Sequence, residues 1–283
     1  MRCSSLQRLI LKQCVLNSLD GFQSLTNLRE VDLAGTMSNT LVPLGNCIWL
    51  EKLSIDFCLN VCSLEGLQML KALRELHILY SGITDLKPLA ECRKLRKLDL
   101  WNCECLHSLA GLQGMTCLTK LDLTETSVRD ISLVKRCKQI KNLSLFGCSE
   151  LLCFDALQHL TALTGLLLSY TKVRDVQFLK ECGQIETLAL SHCTELRSFE
   201  VLQYIPTLTN LDLPNTRVKN LRFLSKCRQL RNLWLYFCRE VCSLKGLEGV
   251  PELHHIYMSK DMRESVDVGS IPLAKRAILV YDK

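Results

Sequence analysis

Long apolar runs are missing from this chain: none of its 283 residues lies in a stretch approaching the roughly 18 that a membrane-spanning helix needs. Met1-Arg2-Cys3-Ser4-Ser5-Leu6 runs straight into the first repeat, so no signal peptide is expected. No glycine loop fit to cradle a phosphate is present; Gly111-x-x-Gly114 falls in a connecting segment. Cys58-x-x-x-Cys62 and Cys238-x-x-x-Cys242 lack the second close pair that a zinc site requires. No metal, cofactor or membrane partner is therefore expected. Aromatic residues are scarce at 6%, and the net charge of +6 is modest. With 48% hydrophobic and 23% charged residues, the composition is that of a folded, core-forming protein.

Cysteine is abundant instead, at 17 residues. Secreted disulfide scaffolds are short and poor in core, whereas this chain is long and rich in it. Free, buried thiols in a reducing compartment are the expectation. That places the protein inside the cell, in the cytoplasm or nucleus.

A leucine spacing returns twelve times, in frames that start at Leu6, Leu28, Leu50, Leu73, Leu95, Leu118, Ile140, Leu163, Ile185, Leu208, Leu230 and Leu253. From Leu50 onward the steps alternate between 23 and 22 residues, so the full unit is 45 residues. Odd frames put cysteine at the ninth position: Cys14, Cys58, Cys103, Cys148, Cys193 and Cys238. Even frames put a small hydroxyl there: Thr36, Ser81, Thr126, Thr171 and Thr216. Such a period overrides a domain count based on length, because a solenoid grows by adding turns.

Within Leu95-x-x-Leu98-x-Leu100 the last two leucines alternate, as a strand with one buried face requires. About a dozen residues then remain for the return, too few for a long helix. Returns such as Leu106-x-x-Leu109-x-x-Leu112 and Val128-x-x-Ile131-x-x-Val134 have an apolar period of three, which fits short 3₁₀ or extended segments. The expected architecture is an α/β-type solenoid: a right-handed coil or horseshoe with a parallel sheet on the concave face. Residues 1–258 form the repeats. Residues 259–283 form a C-terminal cap, in which Ala277-Ile278-Leu279-Val280-Tyr281 is the closing strand. Leu6, Leu9 and Leu11 should lie at an open end. That end is expected to meet another chain or a missing domain, since solenoids need capped ends.

On these frames the chain resembles leucine-rich repeat proteins from about Leu6 to Met258. The even frames, as in Leu166-x-Leu168-x-x-Thr171-x-Val173-x-Asp175-Val176, are similar to the short repeats of internalins and of phosphatase-regulating repeat proteins. The odd frames resemble the cysteine-type repeats of F-box substrate receptors. Their strict alternation resembles the leucine-rich repeat families of trypanosomatids. The resemblance implies an intracellular interaction protein with no catalytic residues. Neither an F-box nor a RING segment is present.

The fifth, seventh and eighth positions of each frame should face the concavity. They make 36 slots, about an eighth of the chain, yet they hold nine of the seventeen aromatics. Exposed aromatic clusters mark binding surfaces. Three groups stand out as candidate partner anchors: Phe57, Leu79, Tyr80 and Trp101; Phe146, Leu167 and Tyr170; and Trp234, Tyr236, Phe237 and Tyr257. Acids accompany them (Asp32, Asp56, Asp99, Asp122, Glu125 and Asp212), which favours a protein or peptide partner. The alternative is an RNA-associated protein that uses a basic rim at Arg93, Lys94, Arg96 and Lys97, or a substrate-recognition subunit of a larger complex. Ser54, His77 and Asp99 share one slot on neighbouring strands, but a flat ladder offers no oxyanion donor pair, so no catalytic role is assigned. Asp99 and Asp122 are adjacent like charges, with Lys97 and Lys120 placed to pair with them locally.

The ninth position must be small and able to bond backbone groups where the chain turns inward. Cys103→Asn should be nearly neutral, because asparagine is the common alternative there. Cys103→Leu should cost about 1–3 kcal/mol through overpacking and unpaired amides. Urea unfolding of the two variants checks both.

Overall fold

The structure is a computed structural model that describes residues 5–12, 14, 16–262, 264–269 and 279–281. Two compact units divide the chain, Met1–Ser144 and Leu145–Lys283. Both have the same construction.

In the first unit seven three-residue strands follow one another: Arg8–Ile10 (β1), Glu30–Asp32 (β2), Lys52–Ser54 (β3), Glu75–His77 (β4), Lys97–Asp99 (β5), Lys120–Asp122 (β6) and Asn142–Ser144 (β7). Each pairs in parallel with the next and joins like positions of the repeat; Leu53 lies opposite Leu76 and Leu98 opposite Leu121. The second unit continues with Gly165–Leu167 (β8), Thr187–Ala189 (β9), Asn210–Asp212 (β10), Asn232–Trp234 (β11), His255–Met258 (β12) and Leu279–Tyr281 (β13). These also pair in parallel and in sequence order. Of the expected closing strand, Leu279 to Tyr281 pairs with β12; Ala277 and Ile278 lie outside the described residues.

Except between β11 and β12, the returns between strands contain 3₁₀ turns of three to five residues, among them Leu112–Gly114 and Ser132–Arg136 in the first unit and Gln177–Glu181 and Glu200–Tyr204 in the second. This is the leucine-rich repeat coil. The repeating Leu, Ile and Val positions are buried almost completely; Leu98, Leu100, Leu106 and Leu112 are all 0% exposed. In the second unit the returns also carry stacked phenylalanines, Phe154 on Phe178 at 6.3 Å and Phe199 on Phe223 at 5.8 Å. No helix among the described residues is long and apolar enough to cross a membrane.

Most of the cysteines form two buried rows. Ninth-position thiols reach a carbonyl 25 residues back: Cys58 Sγ to Leu33 at 3.4 Å, Cys103 to Ile78 at 2.9 Å, and Cys193 to Leu168 and Cys238 to Leu213, both at 3.1 Å. A second row closes the 3₁₀ returns that follow the even frames. Cys47, Cys92, Cys137, Cys182 and Cys227 also reach 25 residues back, to carbonyls of the preceding return at 3.4–3.6 Å. Burial pushes the Cys92, Cys137 and Cys182 thiols up to about 11 and Cys227 to about 12. As neutral thiols they are weak nucleophiles held as hydrogen-bonded core residues. Cys14 departs from the buried pattern and is exposed, as are Cys62, Cys105, Cys153 and Cys242.

Gly111 shows how closely the returns approach. Its φ is +118°, and a Cβ there would run into the Leu86 carbonyl. Gly66 and Gly246 occupy the same place in other turns, with φ of +103° and +111°. Gly111 is thus fixed by turn-to-turn packing. Gly111→Ala should destabilise the protein by about 2–4 kcal/mol, combining a left-handed backbone with overpacking. Chemical denaturation measures this, and a loss below about 0.5 kcal/mol, the range of neutral surface changes, would contradict the close approach.

Candidate partner-binding face

Strand side chains alternate, so the fourth and sixth positions of a frame enter the core while the third, fifth and seventh share the open side of the sheet. The eighth position follows a constraint of its own. There the chain must turn sharply so that the ninth residue points inward, and the ninth amide closes on the sixth carbonyl, as Cys103 does on Leu100 at 3.2 Å. Such a turn calls for positive φ at its third residue, where Gly or Asn is the easy choice. Gly35, Asn102, Gly147 and Asn215 meet that demand. Phe57, Tyr80, Tyr170, His192 and Phe237 adopt it too, at φ between 53° and 60°. Gln13, in the same row, lies outside the described residues. A non-glycine residue held there costs on the order of 1 kcal/mol. Large rings therefore occupy the least comfortable backbone position of the repeat.

In the first unit the ring of Phe57 stacks on Tyr80 at 4.8 Å, and Tyr80 meets Trp101 edge-on at 5.2 Å. Trp101 Nε1 donates to Glu125 Oε2 at 3.2 Å. Leu79 is half-buried beside them, its amide donating to Asp56 at 3.2 Å. In the second unit Phe146 lies 5.1 Å from Tyr170, and Tyr170 stacks on His192 at 4.1 Å. Trp234 stacks on Tyr257 with 5° between the ring planes, and Tyr236 is 6.4 Å from Tyr257. Among the described residues Phe237 makes no ring contact. Phe57, Tyr170 and Phe237 are 56%, 48% and 49% exposed, and Trp101 and Leu167 are also exposed.

Two rings that join these groups were not singled out from the sequence: His192 on Tyr170, and His255 at 5.7 Å from Tyr257. His255 belongs to the third-position row, which strand alternation alone could have added to the face. Trp49, the remaining tryptophan, is 55% exposed outside these rows.

In the first unit the third-position row is an ion-pair ladder. Arg8 meets Glu30 at 3.1 Å, and Glu75 holds both Lys52 at 3.2 Å and Lys97 at 3.1 Å. Lys97, grouped with the basic rim, is thus a β5 residue on the open face; it pairs with Glu75 rather than with Asp99. Arg93 pairs with Glu91 at 3.3 Å. Lys94 and Arg96 make no ion pair among the described residues. Ser54 donates to Asp56 Oδ2 at 2.9 Å, so its hydroxyl is turned away from His77. Asp99 sits 3.7 Å from His77 Nδ1, and this contact, opposed by partial burial, raises the His77 pKa. Burial works against the Asp99 carboxylate, yet His77, Lys120 and the Trp101 amide hold its pKa below the usual value.

Side-chain sizes open one concavity of about 440 Å³ on the second unit. Leu167 bounds it on one side and Trp234 and Tyr236 on the other, with Thr187, Ala189, Asn210 and Asp212 between. Burial pushes the Asp212 carboxyl above its usual value, and Ser191 and His192 only partly offset this.

No family model matches the chain, and no curated protein matches it in sequence. Solved structures do. An internalin (inlF) from Listeria monocytogenes str. 4b F2365 is 22% identical, with a TM-score of 0.79 over 98% of this chain and 86% of that one. The functional domain of InlJ from Listeria monocytogenes, which includes a cysteine ladder, is 17% identical, with a TM-score of 0.65 over 90% of this chain and 64% of that one. TLR13, solved in complex with ssRNA13, is 19% identical, with a TM-score of 0.57 over 90% of this chain and 46% of that one. These are leucine-rich repeat proteins, and what this chain shares with them is the fold.

The His77–Asp99 pair acts between two titrations. The stability contributed by a raised histidine is complete below its unfolded pKa, about 6.5, and is lost as pH rises through the folded value. That contributed by the lowered Asp99 is present above about 3.9 and is lost as pH falls through its folded value. Asp99→Asn should therefore lower the His77 titration midpoint, read from its Cε1 resonance by NMR. A midpoint that stays put would show that Asp99 does not set it.

Proposed function

We propose that the protein is a non-catalytic interaction scaffold that binds a protein or peptide partner on the open face of its sheet. The observation that carries this reading is the placement of exposed rings at left-handed positions, where glycine or asparagine would cost less. Core packing does not ask for these side chains, since the leucines fill the interior without them. Stacking recovers part of the backbone cost, but among the described residues Phe237 has no ring neighbour to recover it with. Retaining such rings makes sense if something else covers them, and aromatic side chains are the usual anchors of protein interfaces. The general use of leucine-rich repeat folds as binding scaffolds agrees with this. As part of the same proposal the protein works in the cytoplasm or nucleus, where its thiols stay reduced, and its alternating frames resemble those of the trypanosomatid repeat families.

A second reading has two observations in its favour: Lys94 and Arg96 make no ion pair among the described residues, and a protein of this fold, TLR13, has been solved with a single-stranded RNA. Against it, Arg93 and Lys97 are already engaged by Glu91 and Glu75. Affinity capture with mass spectrometry separates the two. Trp101→Ala with Trp234→Ala should remove protein partners that the wild type retains, while alanine at Arg93, Lys94, Arg96 and Lys97 should leave them in place. Unchanged partners in the tryptophan variant, or RNA retained in a salt-dependent way and lost with the four rim residues, would overturn the proposal.

A further inference from the structure

The two units differ in how they handle charge on the open face. From β1 to β7 the third, fifth and seventh positions carry ions of both signs, and Asp32 and Asp99 have cations beside them, Lys12 at 3.3 Å and His77 at 3.7 Å, whereas Asp56 and Asp122 make no ion pair among the described residues. From β8 to β12 the same three rows hold a single carboxylate, Asp212. No lysine or arginine occupies those rows, and among the described residues Asp212 makes no ion pair.

Its neighbours in the concavity are already satisfied. Asn210 Nδ2 donates to Thr209 Oγ1 at 2.9 Å and to Thr187 Oγ1 at 3.4 Å, and its Oδ1 accepts from Asn232 at 2.8 Å. Asp212 accepts a hydrogen bond from Ser191. A carboxylate has about four acceptor sites, so most of its capacity is unused. Asp212 also sits directly opposite Trp234 in the β10–β11 register. Trp234 turns one face to Tyr257, in a nearly parallel stack on the β12 side. Its other face borders the concavity on the Asp212 side. Leu167 and Ala189 supply apolar wall opposite.

We propose that this concavity receives an arginine side chain of the partner protein, its guanidinium forked onto the Asp212 carboxylate and stacked against the free face of Trp234. The inference rests on the binding-face reading above and names its anchor. Arginine suits the site better than lysine. Its planar head can use a flat indole and a bidentate carboxylate together, and it loses less hydration than an ammonium group. Its methylene stem lies along Leu167 and Ala189. Because Asp212 makes no ion pair among the described residues, the incoming charge meets a carboxylate with little compensation in a partly dry site, where attraction is stronger than in bulk water. The site is strongest where Asp212 is ionised.

N-acetyl-arginine amide tests this on the full chain at pH 7.5, with the indole NMR signals of the three tryptophans as readout. The probe should shift the Trp234 indole in a saturable way in the millimolar range and leave Trp49 and Trp101 unmoved. N-acetyl-citrulline amide, of the same shape without the charge, should not shift it, and N-acetyl-lysine amide should bind more weakly. Asp212→Asn should weaken arginine binding by at least about tenfold, the scale of a lost charge-assisted pair, with an unchanged thermal midpoint. Equal binding of citrulline or lysine, or an undiminished response in Asp212→Asn, would overturn the proposal. The citrulline comparison needs no variant and so decides the matter even if Asp212→Asn folds poorly. Should the arginine probe leave Trp234 unmoved while Trp101→Ala with Trp234→Ala still loses its protein partners, the arginine site falls and the binding face stands.

Discussion

At the end of every strand the chain has to turn inward without leaving a backbone carbonyl stranded in the core. A buried, unpaired backbone group costs about as much as a lost hydrogen bond, and the repeat meets this demand turn after turn. The sixth-position carbonyl is the place where it is met. In most frames the ninth amide closes on it, and in even frames such as those of Leu168 and Leu213 side chains of the ninth row bond it as well. Leu168 O accepts Thr171 Oγ1 at 2.6 Å and Cys193 Sγ at 3.1 Å. Leu213 O accepts Thr216 Oγ1 at 2.8 Å and Cys238 Sγ at 3.1 Å. The hydroxyl bonds within its own frame, and the thiol of the next frame reaches back to the same oxygen. At Leu168 and Leu213 the 45-residue unit is therefore a Thr–Cys pair sharing one carbonyl. A thiol can make the longer reach because sulfur is large and bonds at greater distance. A hydroxyl suits the short local bond.

The same turn dictates what the open face can display. From Gly35 to Phe237 the eighth residue is held at positive φ, so wherever it is not glycine the turn presents a side chain from a strained position at the rim of the sheet. Glycine there gives a flat surface at no cost, as at Gly35 and Gly147. Rings there raise a ridge and cost backbone energy. Phe57 and Tyr80, one frame apart, stack at 4.8 Å because the repeat brings equivalent positions to strand spacing. Tyr170 and His192 do the same at 4.1 Å. Ring–ring stacking is thus a by-product of periodicity, and it offsets part of the strain that the turn imposes.

Much of this was legible in the residues. Leucine spacing fixed the strands, and the three-residue apolar period of the returns announced their 3₁₀ turns. Removing the leucines exposed the aromatic excess at Phe57, Tyr80, Trp101, Tyr170 and Trp234. Three features stayed hidden for different reasons. The second cysteine row, from Cys47 to Cys227, recurs every 45 residues, but it sits in the returns, where the leucine frame gives no guide. Third-position pairs such as Lys52–Glu75 required applying the strand alternation to one residue more. The concavity beside Asp212 depends on small side chains, Thr187 and Ala189, standing between Leu167 and Trp234. A gap is a property of volumes on neighbouring strands, and no single frame encodes it.

Asp212 also shows why equivalent positions need not be equivalent sites. Asp32, Asp99 and Asp212 share the fifth slot of their frames, and the backbone treats them alike. Their surroundings do not. Lys12 reaches Asp32, and His77 and Lys120 surround Asp99, so those two carboxylates are accounted for inside the molecule. Around Asp212 the rows hold Asn, Thr, Ser and aromatic residues, which leave burial as the dominant influence and push its pKa the other way. A scaffold that gives Asp32 and Asp99 cations of its own and leaves Asp212, beside an indole, without an ion pair among the described residues has made that position a place where an incoming cation gains. Regular repetition supplies the slot; the irregular neighbours decide whether the slot is structure or site.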